Sequence, residues 1–280
     1  MTALRITLVG GPTALIEIGG FRFLTDPTFD QPQDYQLPHV TLTKTAGPAL
    51  SADQVGDVDV VLLSHDQHSD NLDHGGRAFL SRARTVLTTV AGAGRLGGGA
   101  PVPAFRSSPE IAATAHANFG NGVLGLPPWQ SVELTGRDGA CFKITATPAR
   151  HGPAGIEPLS GDVIGFVIEP ADGGIAPIYV TGDTVWFDGV AEVARRFAPG
   201  VVMPFAGSAQ TRGPFHLTMD TNDVVETARA FPDALIVPVH HDSWGHFRQT
   251  GTDLVATFGA LGVRDRLVLL EPGVATQIGR

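Results

Sequence analysis

Four apolar, strand-like runs in this chain end in histidine or aspartate, and that repetition constrains its fold more than any other feature. "VVLLS" runs into His65, His68 and Asp70; "FKITATPAR" into His151; "PIYVTG" into Asp183; "ALIVPV" into His240 and His241. The carboxyl ends of strands in an α/β sheet form the crevice where ligands bind, so four endings far apart in sequence can meet in space. Of ten histidines, five fall at these ends, so an architecture that gathers strand ends at one edge is expected. Imidazoles and carboxylates without thiolates form a donor set that suits Zn, Mn or Fe rather than a soft copper site, which points to a hydrolytic metal.

The 280 residues, 42% hydrophobic and 17% charged, suit one large α/β domain or two small ones. They are read as a single unit, 1–280, with an insertion at about 97–122. Glycine and proline fall between short apolar runs, as turn punctuation. Leu4, Ile6 and Leu8, then Ala14, Ile16 and Ile18, then Phe21 and Phe23 alternate around a Gly19-Gly20 hairpin signal and predict a β-meander. After "LTDPTFD" a loop of roughly thirty residues is expected, long enough to line a site. Strands are predicted at 58–64, 85–90, 141–147, 162–169, 177–181, 200–204, 234–239 and 266–271, and helices at 72–83, 189–198, 220–231 and 252–262. Several strands are continuously apolar, as strands covered on both faces are. The order predicts two packed sheets with helices outside. Within 97–122, Ser108 and Pro109 are placed to begin a short helix, and the segment reads as a surface excursion.

A net charge of −9 without a basic run argues against nucleic acid or an anionic membrane as partner. A small-molecule substrate is expected, with a homo-oligomer left open. No signal peptide or membrane span is read, so a cytoplasmic location is expected. The single cysteine, Cys141, forbids an intrachain disulfide and reads as a buried, inert thiol. "GAGRLG" (92–97) matches a dinucleotide-binding spacing, but glycines and Pro101 follow where its helix should begin. No Gly-x-Ser-x-Gly elbow is present.

"LTDP" (24–27), the histidine-rich strand end (65–73), His151, "TGDT" (181–184) and "PVH" (238–240) occur in an order that resembles the metallo-β-lactamase superfamily. The likeness runs over nearly the whole chain and is strongest to the lactonase-like and phosphodiesterase-like branch. It implies a four-layer αββα sandwich with one or two divalent metal ions, Zn or Mn with Fe as an alternative, at one edge of the paired sheets. It implies that His65, His68 and His151 hold the first ion, that Asp70 and His240 hold the second, and that Asp183 bridges them. Asp70 and Asp183 are then the catalytic carboxylates. The implied activity is hydrolysis of an ester, lactone or phosphodiester-type small molecule by metal-activated water, with Asp70 able to receive the proton.

The chain departs from the family's His-x-His-x-Asp-His pattern: it reads His-x-x-His-x-Asp-Asn, with one extra residue and Asn71 in place of a histidine. Either the loop bulges so that His68 still ligates, or Gln67 points inward; the better donor favours His68. The second ion then depends on Asn71 as a weak donor, recruits His74, or is absent. His241 should face away from His240, because adjacent strand residues point to opposite faces. His216 and His246 lie in loops that could edge the pocket, Asp26 is expected to brace the site through hydrogen bonds, and Arg150 should point away. The alternatives are an iron-dependent redox enzyme on the same fold and a non-catalytic metal-binding protein.

Overall fold

The computed structural model describes residues 4–98, 122–136 and 139–279. β1 (Leu4–Gly10), β2 (Thr13–Ile18) and β3 (Phe21–Thr25) form the antiparallel meander. Gly19 and Gly20, at φ 56° and 78°, supply the double left-handed turn that sets Ile18 opposite Phe21. The stretch expected as a loop instead holds a hairpin, β4 (Gln33–Gln36) and β5 (Thr41–Lys44), and one helical turn, α1 (Ala52–Val55). Only Tyr35, Leu42 and Lys44 of the hairpin strands are buried, so the alternation is too short and too polar to read as strand.

β6 (Val58–Leu62), α2 (His74–Phe79), β7 (Ala83–Thr88), α3 (Val90–Arg95) and β8 (Val123–Gly125) extend the first sheet in parallel from β3. α2 is shorter than predicted because a 3-10 turn takes over at Leu80–Arg82. "GAGRLG" is no phosphate loop: its first glycines lie inside α3, which Thr89 caps by accepting from the Gly92 N–H at 2.9 Å.

The second sheet comprises β9 (Ser131–Thr135), β10 (Cys141–Pro148), then, after α4 (Glu157–Ser160), β11 (Ile164–Pro170) and β12 (Ile178–Val180). α5 (Asp188–Arg196), β13 (Val201–Met203), α6 (Thr221–Ala230), β14 (Leu235–Ile236) and α7 (Gly251–Ala260) follow, and β15 (Thr276–Ile278) returns to pair with β1. The sheet orders are β15-β1-β2-β3-β6-β7-β8 and β14-β13-β12-β11-β10-β9. Residues 266–271 add no strand: Leu267 makes one bridge to Ile236 after a 3-10 turn at Arg264–Arg266. Cys141 is half-buried rather than buried. Of the insertion expected at 97–122, residues 99–121 lie outside the described residues.

Three apolar clusters make the structure a four-layer αββα sandwich. Val60 and Leu62 face Phe142, Ile144, Phe166 and Val180 across the sheets, while Val61 and Leu63 on the other face pack with Phe79 and Ala93. Tyr179, Val202 and Ile236 pack outward against Val190, Val224 and Phe258 of the helices. Continuous apolar runs are thus buried on both faces. No helix among the described residues is long and apolar enough to cross a membrane.

Strand direction positions the site. β11 is antiparallel to both β10 and β12, so β10 and β12 run the same way, and β13 and β14 run parallel to β12. Their carboxyl ends therefore share an edge. The hairpin is anchored nearby by a buried ion pair, Lys44 Nζ to Asp73 Oδ2 at 2.8 Å. Asp73 also accepts from the backbone N–H groups of Phe29, Asp30 and Gly76 at 2.7–2.9 Å. Asp73→Ala leaves Lys44 charged, buried and unpaired, and is expected to cost about 3–5 kcal/mol in urea unfolding. A loss near zero would mean that the pair does not anchor the hairpin.

Candidate metal centre

β6 delivers Ser64 and His65 to the shared edge, and the turn after it delivers His68, Asp70 and Asn71. β10 leads to His151, β12 to Asp183, and the run after β14, bridged at Val239 to Phe205, to His240. Asp183 follows Gly182, whose φ of +63° and close approach to the Ile164 carbonyl leave no room for a side chain: a Cβ there would meet that oxygen at 2.5 Å.

The donor atoms form two groups that share Asp183: His65, His68, His151 and Asp183 in one, and Asp70, Asp183 and His240 in the other. In the first, His68 Nδ1 lies 2.8 Å from His65 Nε2 and 3.2 Å from His151 Nε2, and His151 Nε2 lies 3.6 Å from Asp183 Oδ2. Gln67 is turned away: its side chain occupies the space beside Gly161. In the second, His240 Nε2 lies 3.4 Å from Asp183 Oδ1 and 3.6 Å from Asp70 Oδ2. His246 Nε2 donates to Asp70 Oδ2 at 2.9 Å.

Fixed partners decide which nitrogens are free. His151 Nδ1 faces the Leu217 carbonyl at 2.9 Å, which can only accept, so the proton sits on Nδ1 and Nε2 keeps its lone pair. Ser64 Oγ contacts both Asp26 Oδ2 at 2.7 Å and His65 Nδ1 at 2.9 Å. With Asp26 ionised, the hydroxyl donates to the carboxylate and accepts from His65 Nδ1, which frees His65 Nε2 as well. His68 Nδ1 carries at most one proton for two such acceptors.

Three unshared or half-shared nitrogens thus converge on a buried space, a poor hydrogen-bond network and a good cation site. The second group has the same character. Asp183 Oδ2, both ring nitrogens of His240 and Asn71 Oδ1 are buried without a hydrogen-bond partner. Spacings of 3.4–3.6 Å are long for hydrogen bonds. Donors around one ion at about 2.1 Å keep roughly such spacings. The residues present fit one or two divalent ions.

The electrostatics agree. Burial, and then the charge of neighbouring imidazoles, hold His65 well below the usual histidine range and push His68 down to about 4, so both are neutral, the ligating form. Burial opposes ionisation of Asp70 and Asp183, but the facing imidazoles outweigh it and hold both carboxyls below their ordinary range. Burial also opposes charge on His240, yet Asp183 and Asp70 push it up to about 10. The second group therefore demands a positive charge, and without an ion a proton on His240 supplies it.

Asp26 lies behind this centre. Its Oδ1 accepts from the Ser64 N–H at 2.6 Å, and Asn71 Nδ2 donates both to Asp26 Oδ2 at 3.2 Å and to Asp183 Oδ1 at 3.1 Å. Burial raises Asp26 to about 7 against these donors. Arg150 points away, its guanidinium 4.7 Å from the Phe187 ring.

Three histidines read as auxiliary are not brought in. His74 is 81% exposed and pairs with Asp30 at 3.2 Å, because it begins α2 and faces outward. His216 lies 3.0 Å from Asp223 at the start of α6, and His241, which packs beside Gly251, belongs to neither donor group. Ser64 and Leu217 were missed as orienting groups. The Ser-His dipeptide at a strand end was the available signal for the first, whereas a carbonyl acceptor leaves none.

Binding an ion at the second group must displace the His240 proton. The apparent affinity of the metal-free protein for Zn²⁺ should therefore rise with pH, by about one log unit per pH unit from this group, until pH approaches 10. Proton release of about one per ion at that group, from calorimetry in buffers of different ionisation enthalpy, checks this; no release would show His240 already neutral.

The Beta-lactamase superfamily domain family matches residues 21–241. UPF0173 protein YddR of Bacillus subtilis is 23% identical over 96% of this chain and 98% of its own. UPF0173 metal-dependent hydrolase MK1542 of Methanopyrus kandleri is 24% identical over 96% and 98%. Among solved structures, isothiocyanate hydrolase from Delia radicum gut bacteria superposes with a TM-score of 0.72 at 21% identity, covering 97% of this chain and 98% of that one. With residues 21–241 of its 280 matched by the family, this protein belongs to the Beta-lactamase superfamily domain family.

Proposed function

We propose that the chain is a metal-dependent hydrolase of a small, neutral, apolar-bodied electrophile, with an ester or lactone carbonyl preferred over a phosphodiester. One observation carries this reading: two groups of imidazoles and carboxylates share Asp183 and leave buried donor atoms unpartnered. His65, His68, His151 and Asp183 would hold one ion, and Asp70, Asp183 and His240 a second, with Zn or Mn matching the nitrogen and oxygen donors. A divalent ion bound there supplies Lewis acidity, which acidifies water and polarises a carbonyl.

The protein's own groups supply the rest. A cavity of about 50 Å³ opens on His68, Asp70, His151 and His246. Its apolar lining from Leu37, Val40, Leu42 and Leu217 fits an apolar body and excludes bulk water. Among the described lining residues Arg212 is the one permanent cation, exposed and donating to the Leu159 carbonyl at 3.2 Å, which is a weak platform for a phosphodiester anion. Asp70, ionised and held at the cavity by His246, is placed to take a proton from attacking water and return it to the leaving oxygen.

The test measures Zn, Mn and Fe per chain and assays aryl esters, lactones, phosphodiesters and, because the fold neighbour is named for one, isothiocyanates. Wild type should hold Zn or Mn and turn over an ester or lactone, and Asp183→Ala should lose metal and roughly a hundredfold or more in kcat/KM. Protein free of transition metal after growth in metal-supplemented medium would sink the reading. Bound iron with no hydrolysis would transfer it to redox chemistry.

A further inference from the structure

We infer that His246 is the positioning residue of the second ion site, fixing Asp70 from the far loop where the strand end offers Asn71 and no imidazole. This rests on the two-group reading above and goes beyond it, because His246 belongs to neither donor group.

Asn71 is already committed. Its amide nitrogen spans Asp26 and Asp183, so it ties the two carboxylates together and has no further proton for Asp70. Asp70 Oδ2 is instead held by His246 Nε2 at 2.9 Å, with both side chains 7% exposed. An ionised carboxylate only accepts, so the imidazole carries its proton on Nε2. Nδ1 is left buried without a partner, and the ring is committed to this one interaction.

Its orientation is over-determined. The His246 ring stands edge-on to Phe247, at 4.7 Å between centroids, and to Trp244, at 6.0 Å. The loop is sewn to β5 by Gly245 N–H to the Thr43 carbonyl at 2.9 Å and Thr45 N–H to the Ser243 carbonyl at 2.8 Å. The His246 carbonyl also accepts from the Gln210 N–H at 3.1 Å. A packed imidazole that orients a ligating carboxylate sets how well that carboxylate binds. Because Asp70 belongs only to the second group, His246 should govern the second ion and leave the first alone.

The full chain, stripped of metal, is titrated with Zn²⁺ against a chromophoric chelator as wild type, His246→Ala and His246→Gln. Wild type should take up two equivalents. His246→Ala should weaken the second step by about 10–100-fold and leave the first within about twofold. His246→Gln, whose amide still donates, should recover at least half of that loss on a logarithmic scale. If His246 only filled space between Trp244 and Phe247, alanine would disturb both steps and glutamine would rescue neither. The inference is overturned by a single equivalent in wild type, by an unchanged second step in His246→Ala, or by no recovery in His246→Gln. The first of these leaves a one-metal hydrolase standing, whereas zero equivalents would overturn the hydrolase reading too. Should the alanine variant not fold, the glutamine variant decides alone: a second step within about tenfold of wild type supports the inference, and a larger loss overturns it.

Discussion

Two buried carboxylates, Asp70 and Asp183, set the terms for the rest of the structure. Buried anions are costly unless paired, and the fold surrounds these with His151, His240 and His246 rather than with lysine or arginine. A permanent cation would neutralise the pair for good. An imidazole can be a proton carrier or a neutral donor, so the same pocket is tolerable with a proton and complete with a metal ion. The unpartnered atoms of Asp183 and His240 are the cost of keeping that choice open.

Holding such a group in place requires backbone geometry that an ordinary turn would avoid. Asp26 and His240 sit at φ 23° and 57°, and Ser243, in the loop that carries His246, at 68°. Non-glycine residues in this region cost on the order of 1–3 kcal/mol each, and such costs cluster where function over-determines the conformation. Here the constraints are visible: Asp26 N–H is bonded to the Leu62 carbonyl and His240 N–H to the Gly11 carbonyl, at 3.1 and 2.8 Å. The turn between β1 and β2, through the Gly11 carbonyl, therefore helps to fix His240, so the first residues of the chain bear on a donor from its last third.

The two-sheet sandwich was legible because its signals are long and redundant. Val60 to Leu63 is apolar without a break, and both faces of that run are buried. The hairpin at 33–44 was not legible, because its two four-residue strands bury only Tyr35, Leu42 and Lys44. Nor was the strand expected at 266–271 avoidable by pattern: Leu267, Leu269 and Leu270 are apolar because they pack into the two clusters beside the sheet, and Leu267 adds a single bridge to Ile236 rather than a strand. At the site, residues on strand ends were named from type and spacing. His246 was undervalued because its loop has no periodicity, and its link to Asp70 spans 176 positions.

That link also joins two parts of the molecule that sequence keeps apart. Tyr35 and Leu42 of the hairpin pack with Trp244, and Tyr35 donates to Asp30 at 2.7 Å while Lys44 reaches Asp73. Leu37, Val40 and Leu42 meanwhile cover the cavity. The hairpin that shapes the space for a substrate is thus the surface against which the His246 loop is packed. Displacing it to admit a larger molecule would also loosen the imidazole that holds Asp70. Substrate size and the geometry of the second donor group are for that reason one property of this fold, and a chain with Asn71 at the strand end depends on that coupling more than one with an imidazole there would.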